Sequence, residues 1–172
     1  ISACLVGSEM CIRDSNEAVL DLVPLTRSEL LRHGVSLQTE LAIGLPPVEG
    51  DRTELQQVML NLIMNAIEAM SGVDNEVPRR LRISTEKNAS GDALVTVTDS
   101  GPGLEPQATD RLFQAFYTTK PGGMGMGLAI CRSIIEARGG RLWVTANEPQ
   151  GATFHFTYPP ARDVSVSVEH VA

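Results

Sequence analysis

Apolar and polar positions change period several times along the chain, which predicts helices intermixed with strands. The predicted helices are 16–32, 51–70 and 128–138, with a short apolar helix near 108–116. A break is expected near Pro24 in the first of them, since proline disrupts a helix interior. Asp51 or Thr53 can cap the second, which has the strongest helical pattern.

Runs of alternating or continuously apolar residues bounded by turn sequences predict strands. The predicted strands are 35–41, 81–85, 94–98, 142–146 and 152–158. They do not alternate regularly with helices, which favours the α+β class over the α/β class. We expect a two-layer sandwich, in which about three helices cover one face of a mixed, mostly antiparallel sheet of about five strands.

The periodic pattern also divides the chain into segments. Residues 1–15 show no sustained period and contain two of the three cysteines, so we interpret them as a non-native or disordered segment. Residues 16–33 form a helical linker, and 34–160 form the main domain. Pro159-Pro160 ends this domain, and 161–172 are predicted to be a mobile tail.

Charge and composition exclude several function classes. The 172 residues include 14 Lys+Arg and 21 Asp+Glu, a net charge of −7, which argues against nucleic-acid binding. No apolar run is long enough to cross a membrane. Three cysteines without a C-x-x-C pair indicate free thiols in the cytoplasm, an expectation that allows a membrane anchor upstream in a full-length protein.

The predicted helix 51–70 carries a narrow polar stripe. Its members fall within roughly 80° of arc: Glu54, Gln57, Asn61, Asn65 and Glu68. The remaining positions are apolar and predict a buried surface: Leu55, Val58, Met59, Leu62, Ile63, Ala66, Ile67 and Met70. The stripe is either a solvated face or a ligand site, since two asparagines one turn apart can offer amide oxygens to phosphate-bound Mg²⁺.

Two glycine-rich segments follow. Asp99-Ser-Gly101-Pro-Gly103 comes directly after an apolar strand, so it is either a tight turn or a carboxylate beside backbone that a ligand can approach. Gly123, Gly125 and Gly127 lead into the helix predicted from Leu128. Glycines that open a helix suit phosphate oxygens, and they equally suit a flexible hinge.

The loop between these glycine segments adds polar groups and an apolar anchor. Phe113 and Phe116 are expected one helical turn apart, anchoring the loop to the core. Lys120 and the hydroxyls of Thr118 and Thr119 would then lie within reach of a terminal phosphate, although a loop lysine is more often simply solvated. Thr153 begins the last strand, where its hydroxyl could contact a base through water.

The order of these segments resembles the N, G1, F, G2 and G3 boxes of sensor histidine kinases. The sequence is similar to the GHKL ATPase superfamily, with its Bergerat ATP-binding fold, over about residues 35–158. The segments 61–70 and 118–127 look most like the nitrogen- and oxygen-sensing kinases of bacteria. The resemblance implies ATP and Mg²⁺ as cofactors, and a histidine-containing dimerisation domain upstream and a response regulator downstream as partners.

The resemblance also implies roles for individual residues. Asp99 would bind the adenine amine and Thr153 the same edge through water, while Gly101 and Gly103 would let the backbone pass the base. Asn65 would ligate Mg²⁺, with Asn61 beside it as a second amide. Lys120 would neutralise the γ-phosphate, and the triphosphate would lie among the following residues of the lid end: Thr119, Gly123, Gly125, Gly127 and Leu128.

Two features bear on the reaction. Hydrolytic and serine-kinase members of the superfamily resemble one another in carrying Glu where this chain has Asn61, and an amide cannot act as a base. Asn61 therefore favours phosphoryl transfer to histidine. None of His33, His155 and His170 has the context of the family's phosphoacceptor, so we expect a catalytic module that acts on a histidine elsewhere. A non-catalytic nucleotide-responsive module, or an ATPase or serine kinase, remains the alternative.

Overall fold

The protein is described by a computed structural model, which covers residues 11–12, 15–73 and 76–161. Four helices and seven strands occur within these ranges. In chain order they are β1 Cys11–Ile12, α1 Ser15–Leu20, α2 Leu22–Arg32, β2 Val35–Leu41, β3 Val48–Glu49, α3 Arg52–Ser71, β4 Arg79–Lys87, β5 Ala93–Asp99, α4 Gly127–Ala137, β6 Leu142–Ala146 and β7 Ala152–Tyr158. No helix in the described ranges is long and apolar enough to cross a membrane.

Five strands form one mixed sheet in the order β2-β4-β5-β7-β6. Only β2 and β4 run parallel, and every other neighbouring pair is antiparallel. Helices α2, α3 and α4 pack on this sheet against β2, β4–β5 and β6–β7 respectively. The predicted α+β two-layer sandwich is therefore confirmed.

Alternation along the strands determines which side chains meet the helices. The buried residues Ile83, Val97 and Phe154 lie opposite one another on β4, β5 and β7. On α3, the buried residues are those predicted from the helical period: Leu55, Val58, Met59, Leu62, Ile63, Ala66, Ile67 and Met70. Together these side chains form the core between the two layers.

Helix α3 begins where the sequence predicts. The Asp51 carboxylate accepts the backbone N–H groups of Thr53 at 2.6 Å and of Glu54 at 3.4 Å. These hydrogen bonds satisfy two donors at the helix start, and they hold the pKa of Asp51 below its usual value. The helix ends at Ser71, before Gly72. This capped helix presents the polar stripe to one side of the domain.

The structure corrects the prediction of a helix near 108–116. This segment consists of turns, with i-to-i+3 bonds such as that from Arg111 N–H to Ala108 C=O at 2.9 Å. Phe113 does reach the core, where its ring meets Phe154 edge-on at a centroid distance of 6.4 Å. Phe116 is 79% exposed with φ of 66°, so the expectation that it anchors the loop is wrong.

Most of the N-terminal segment 1–15, interpreted as non-native or disordered, lies outside the described residues. Of its described residues, Cys11–Ile12 pairs antiparallel with Val48–Glu49. The helical break lies at Asp21 instead of Pro24, because Pro24 occupies the first turn of α2, where no helical N–H bond is lost. Of the predicted tail 161–172, all but Ala161 lies outside the described residues.

Candidate functional site

A cavity of about 720 Å³ lies between α3, the adjoining ends of β5 and β7, and the loop that precedes α4. Nine of the twelve predicted site residues line it: Asn65, Asp99, Gly103, Thr119, Lys120, Gly123, Gly125, Gly127 and Leu128. The structure thus brings together predicted residues from three separate segments of the sequence. The volume of the cavity lies within the range typical of small-molecule sites.

Asp99 is the most buried charged group of the cavity, with 5% of its surface exposed. Its Oδ1 accepts the backbone N–H of Gly101 at 2.8 Å and that of Ala152 at 3.3 Å. Burial raises the pKa of the Asp99 carboxyl, and these two N–H groups partly oppose the rise. Because both bonds use Oδ1, Oδ2 is left to accept a hydrogen bond from a ligand.

Glycines allow the backbone segments around Asp99 to approach closely. Gly151 has φ of 106°, and a Cβ there would lie 2.2 Å from the carbonyl oxygen of Asp99. Gly103 has φ of 89° and packs against the backbone of Gly151. Any larger residue at Gly151 would push β7 away from β5. The open end of the sheet beside Asp99 therefore depends on these two positions.

Gly101 lies behind the cavity wall. Its N–H binds Oδ1 of Asp99, and a Cβ at this position would lie 2.8 Å from that same oxygen. The small residue therefore orients the carboxylate from behind, without itself lining the cavity.

Asn61 also lies outside the lining. Its side-chain amide donates to the sulfur of Cys131 on α4 at 3.5 Å. Cys131 is fully buried, and burial raises the pKa of its thiol to about 11. In this structure Asn61 therefore takes part in the contact between α3 and α4, one turn away from Asn65.

Thr153 is placed on the opposite face of the sheet from the cavity. Its hydroxyl donates to Oδ1 of Asn147 at 2.8 Å and lies 3.0 Å from the Thr98 hydroxyl. The residues of β7 that line the cavity are Ala152 and Phe154. The structure thus gives no support to a contact between Thr153 and a base. Successive side chains of a strand point to opposite faces of the sheet. Since Phe154 points inward, the sequence could have indicated that its neighbour Thr153 points to the other face.

Lys120 reaches back from the loop onto α3. Its ammonium group donates to Oδ1 of Asn65 at 3.0 Å and forms an ion pair with the carboxylate of Glu68. Asn65 and Glu68 are one turn apart on the predicted polar stripe. The amide oxygen of Asn65 thus already accepts a hydrogen bond from the cationic Lys120 ammonium group, so this oxygen is suited to binding a cation.

The glycines before α4 form a tightly packed loop end. Gly125 has φ of 66°, and its C=O accepts the N–H of Phe116 at 2.9 Å. A Cβ at Gly125 would lie 2.6–2.8 Å from the backbone of Phe116 and Tyr117. Helix α4 then begins at Gly127 with no side-chain cap. Its first N–H groups remain available to an anionic group in the cavity.

Sequence reasoning missed part of the lining. Glu68 was placed on the polar stripe without a role, and its i+3 spacing from Asn65 was the available signal. The apolar wall was not predicted, because three of its five members lie in the loop, where isolated apolar residues give no periodic signal. Its members are Ala69, Leu104, Leu112, Met126 and Phe154. They offer a surface for a planar aromatic group, with Asp99 at its edge.

Two of the curated relatives with similar sequences are sensor proteins. The chain is 42% identical over 147 residues to the sensor histidine kinase TmoS of Ectopseudomonas mendocina, covering 85% of this chain and 15% of that protein. It is 46% identical to the sensor protein FixL of Bradyrhizobium diazoefficiens, covering 74% and 25%. The chain therefore spans about a quarter or less of the length of these two relatives.

Several solved structures with a similar fold are histidine kinases. The catalytic domain of ThkA matches with a TM-score of 0.74 and 33% identity, covering 84% of this chain and 91% of that one. Full-length ShkA in complex with AMPPNP gives 0.77 and 26%, covering 91% and 32%. ThkA in complex with the response regulator TrrA gives 0.72 and 29%, covering 88% and 41%.

The part of the chain that matches a known protein family includes the elements that form the cavity and four strands of the sheet. The family described as histidine kinase-, DNA gyrase B-, and HSP90-like ATPase, HATPase_c, matches residues 50–162. This range contains α3, the four strands that follow it in the sheet, the loop and α4. The chain therefore belongs to this ATPase family. Its similarity to sensor histidine kinases in sequence and structure shows that it is a HATPase_c domain of the sensor histidine kinase type.

Proposed function

We propose that this domain binds ATP with Mg²⁺ and transfers the γ-phosphoryl group to a histidine on a dimerisation domain in an upstream part of the same protein. The observation that carries the proposal is the single cavity bordered by Asp99, Asn65, Lys120 and the glycines before α4. These groups match the three parts of a magnesium–nucleotide complex: a base with an amine, a metal and a phosphate chain.

The purine would bind at the closed end of the cavity. Oδ2 of Asp99 would accept the adenine amine, and the apolar wall would cover the ring faces. A buried carboxylate with one oxygen already bonded to backbone is well oriented for this contact, and its charge strengthens the hydrogen bond. Gly103 and Ala152 leave room beside it. Guanine, with a carbonyl at the equivalent edge, would face the carboxylate unfavourably.

The phosphates would bind toward the loop. The N–H groups at the start of α4 and the ammonium group of Lys120 would neutralise phosphate oxygens. Thr119 lies in the same lining and can donate a hydroxyl. Asn65 would hold Mg²⁺, which supplies charge stabilisation for the transferred phosphoryl group. In this arrangement the domain's own residues orient the phosphates and exclude solvent.

Asn61 distinguishes transfer from hydrolysis. Its amide cannot take a proton from water, and here it is bonded to Cys131 instead of facing the cavity. A histidine nitrogen is nucleophilic enough that positioning and charge stabilisation suffice. Phosphoryl transfer to histidine therefore agrees better with the site than water activation does.

The partners follow from this reaction. We propose that the phosphohistidine formed by transfer passes its phosphoryl group to a response regulator in a two-component pathway. The resemblance in fold to ThkA, which was solved in complex with the response regulator TrrA, supports this partner class. A cytoplasmic location agrees with the free, buried thiol of Cys131.

A transfer assay tests the proposal. The domain would be incubated with γ-labelled ATP, Mg²⁺ and a purified dimerisation hairpin that carries the acceptor histidine. We expect acid-labile, alkali-stable label on the hairpin, and none on a hairpin in which that histidine is replaced by glutamine. Asp99→Asn should abolish most of the transfer.

Other outcomes would point to other functions. Free phosphate that exceeds labelled hairpin, and that is lost in Asn61→Ala, would indicate an ATPase. Nucleotide binding that leaves the hairpin unlabelled but tightens its association with the domain would indicate a nucleotide-responsive binding module. Either result would contradict phosphoryl transfer to histidine.

A further inference from the structure

Glu68 is a polar residue of the cavity to which the proposed function gives no role. It projects from α3 one turn after Asn65, and its carboxylate pairs with the ammonium group of Lys120. The same ammonium group donates to Oδ1 of Asn65 at 3.0 Å. A cation therefore lies between two oxygen donors on adjacent turns of one helix.

This contact joins the loop to α3. Lys120 is 52 residues from Glu68 in the sequence and lies in the turn region between β5 and α4. The same turn is closed by the bond from the Lys120 N–H to the hydroxyl of Thr118 at 3.0 Å. The Lys120 side chain thus fixes one point of the loop against the cavity's helical wall.

The two oxygens that hold Lys120 are of the type that magnesium prefers. An amide oxygen and a carboxylate oxygen are hard donors, and protein-bound Mg²⁺ usually has one or two carboxylates together with phosphate oxygens. The proposed metal ligand, Asn65, is one of the two. An ammonium group and a metal ion cannot both occupy the space beside its Oδ1.

We infer that Glu68 is a positioning residue: with Asn65 it holds the Lys120 ammonium group in the place of the metal, and Lys120 leaves these oxygens when a magnesium–nucleotide complex enters. The inference rests on the proposed binding of magnesium and nucleotide. Glu68 thereby keeps the loop on the cavity until nucleotide arrives, and the released Lys120 is free to reach a phosphate.

The contact is weak enough to exchange. The side chains of Lys120 and Glu68 are 43% and 49% exposed, and exposed ion pairs contribute about 0.2–1 kcal/mol. The corresponding change in occupancy is about 1.5- to 5-fold. Since Glu68 is exposed, its replacement should leave the fold intact, which makes the effect measurable.

Amine labelling measures the contact directly, because Lys87 and Lys120 are the only lysines of the chain. Lys87 ends β4 at the end of the sheet opposite Asp99, about 20 Å away, and serves as an internal reference. Without nucleotide, Glu68→Gln should raise acetylation of Lys120 relative to Lys87 by about 1.5- to 5-fold. Glu136→Gln, which breaks an exposed pair with Arg132 on α4, should leave this ratio unchanged.

A second measurement tests the exchange, with ADP as the probe because it has no γ-phosphate for Lys120 to bind. Lys120→Met removes the competing ammonium group, so it should tighten magnesium-dependent ADP binding by about 1.5- to 5-fold in calorimetry. It should have no such effect on ADP binding in EDTA. A lysine that binds only the γ-phosphate would leave ADP binding unchanged, and one that binds the α- or β-phosphate would give the opposite sign.

The outcomes are distinguishable. If ADP with Mg²⁺ gives no heat with the unmodified protein, the proposed function fails, and this inference fails with it. If ADP binds normally but Glu68→Gln leaves the labelling ratio unchanged, or Lys120→Met weakens ADP binding or leaves it unchanged, only the inference is overturned.

Discussion

Asp99→Asn tests whether the buried carboxylate serves binding instead of folding. Both backbone N–H groups that Asp99 accepts use Oδ1, and the amide oxygen of asparagine can accept them in the same way. At Oδ2, however, asparagine places an NH₂ group. Against an adenine amine, the variant presents a donor to a donor. The lost hydrogen bond should weaken binding by about 1–3 kcal/mol, or about 5- to 150-fold in Kd.

The same substitution should have the opposite effect on folding. Burial raises the pKa of Asp99, so the folded protein binds this proton more tightly than the unfolded chain does. The contribution of Asp99 to stability is therefore full below its unfolded pKa and is lost as the pH rises through the raised folded pKa. Asparagine does not titrate, so the variant does not lose stability in this way as the pH rises. At pH 7 it should therefore unfold at a denaturant concentration equal to or higher than that of the unmodified protein.

Two assays separate these effects. Calorimetry with ADP and Mg²⁺ gives the change in affinity, and urea unfolding between pH 4 and 8 gives the change in stability. The advantage of the variant in unfolding free energy should grow with pH. Asp92→Asn, in the turn at the far end of β5, is the matched control and should change neither. An Asp99→Asn protein that binds ADP normally, or that is less stable at pH 7, would refute the reasoning.

Three further predictions concern the loop, the thiol and the core. Gly125→Ala should strain the loop by about 1–3 kcal/mol, because of its positive φ and the close backbone of Phe116. Faster hydrogen exchange over 102–126 would show the strain, and the free energy of global unfolding should fall by no more than that amount. Cys131, with a pKa of about 11, should resist iodoacetamide at pH 8 until urea unfolds the protein, as peptide mass spectrometry can test. Leu62→Ala should lower the free energy of unfolding, measured in urea, by about 2–5 kcal/mol. A smaller loss would mean that neighbouring core side chains move to fill the space left by the leucine.

The layered core could be predicted because periodicity reports it directly. A helix on a sheet must bury one face, so the apolar positions of α3 identify its buried residues without any knowledge of the partner strands. Three of the five predicted strands match the structure, and the other two, β4 and β5, extend beyond their predicted ranges. β4 extends from Arg79 to Lys87 because its backbone bonds to both neighbours continue beyond its apolar residues.

The loop before α4 could not be predicted in the same way. Its conformation depends on contacts between distant residues, such as the bond from Phe116 to Gly125 and the contact of Lys120 with α3. From the sequence, an apolar residue such as Phe116 is predicted to anchor the loop to the core. In the structure, Phe116 has a positive φ and its side chain is exposed. The local sequence pattern gives no information on such bonds. The prediction of a glycine-rich loop is therefore correct, and only the helix predicted within it near 108–116 is wrong.

The polar stripe of α3 shows where periodicity stops being informative. Its members share a helix face, but different elements cover that face. At the N-terminal end, Glu54 binds Arg138 through two hydrogen bonds, and Asn61 contacts Cys131, so this half belongs to the contact with α4. In the part of the chain that the structure describes, the Asn65 and Glu68 side chains hydrogen-bond to the loop lysine. Spacing in the sequence therefore gives which side chains point the same way, and the tertiary structure decides which of them are left for a ligand.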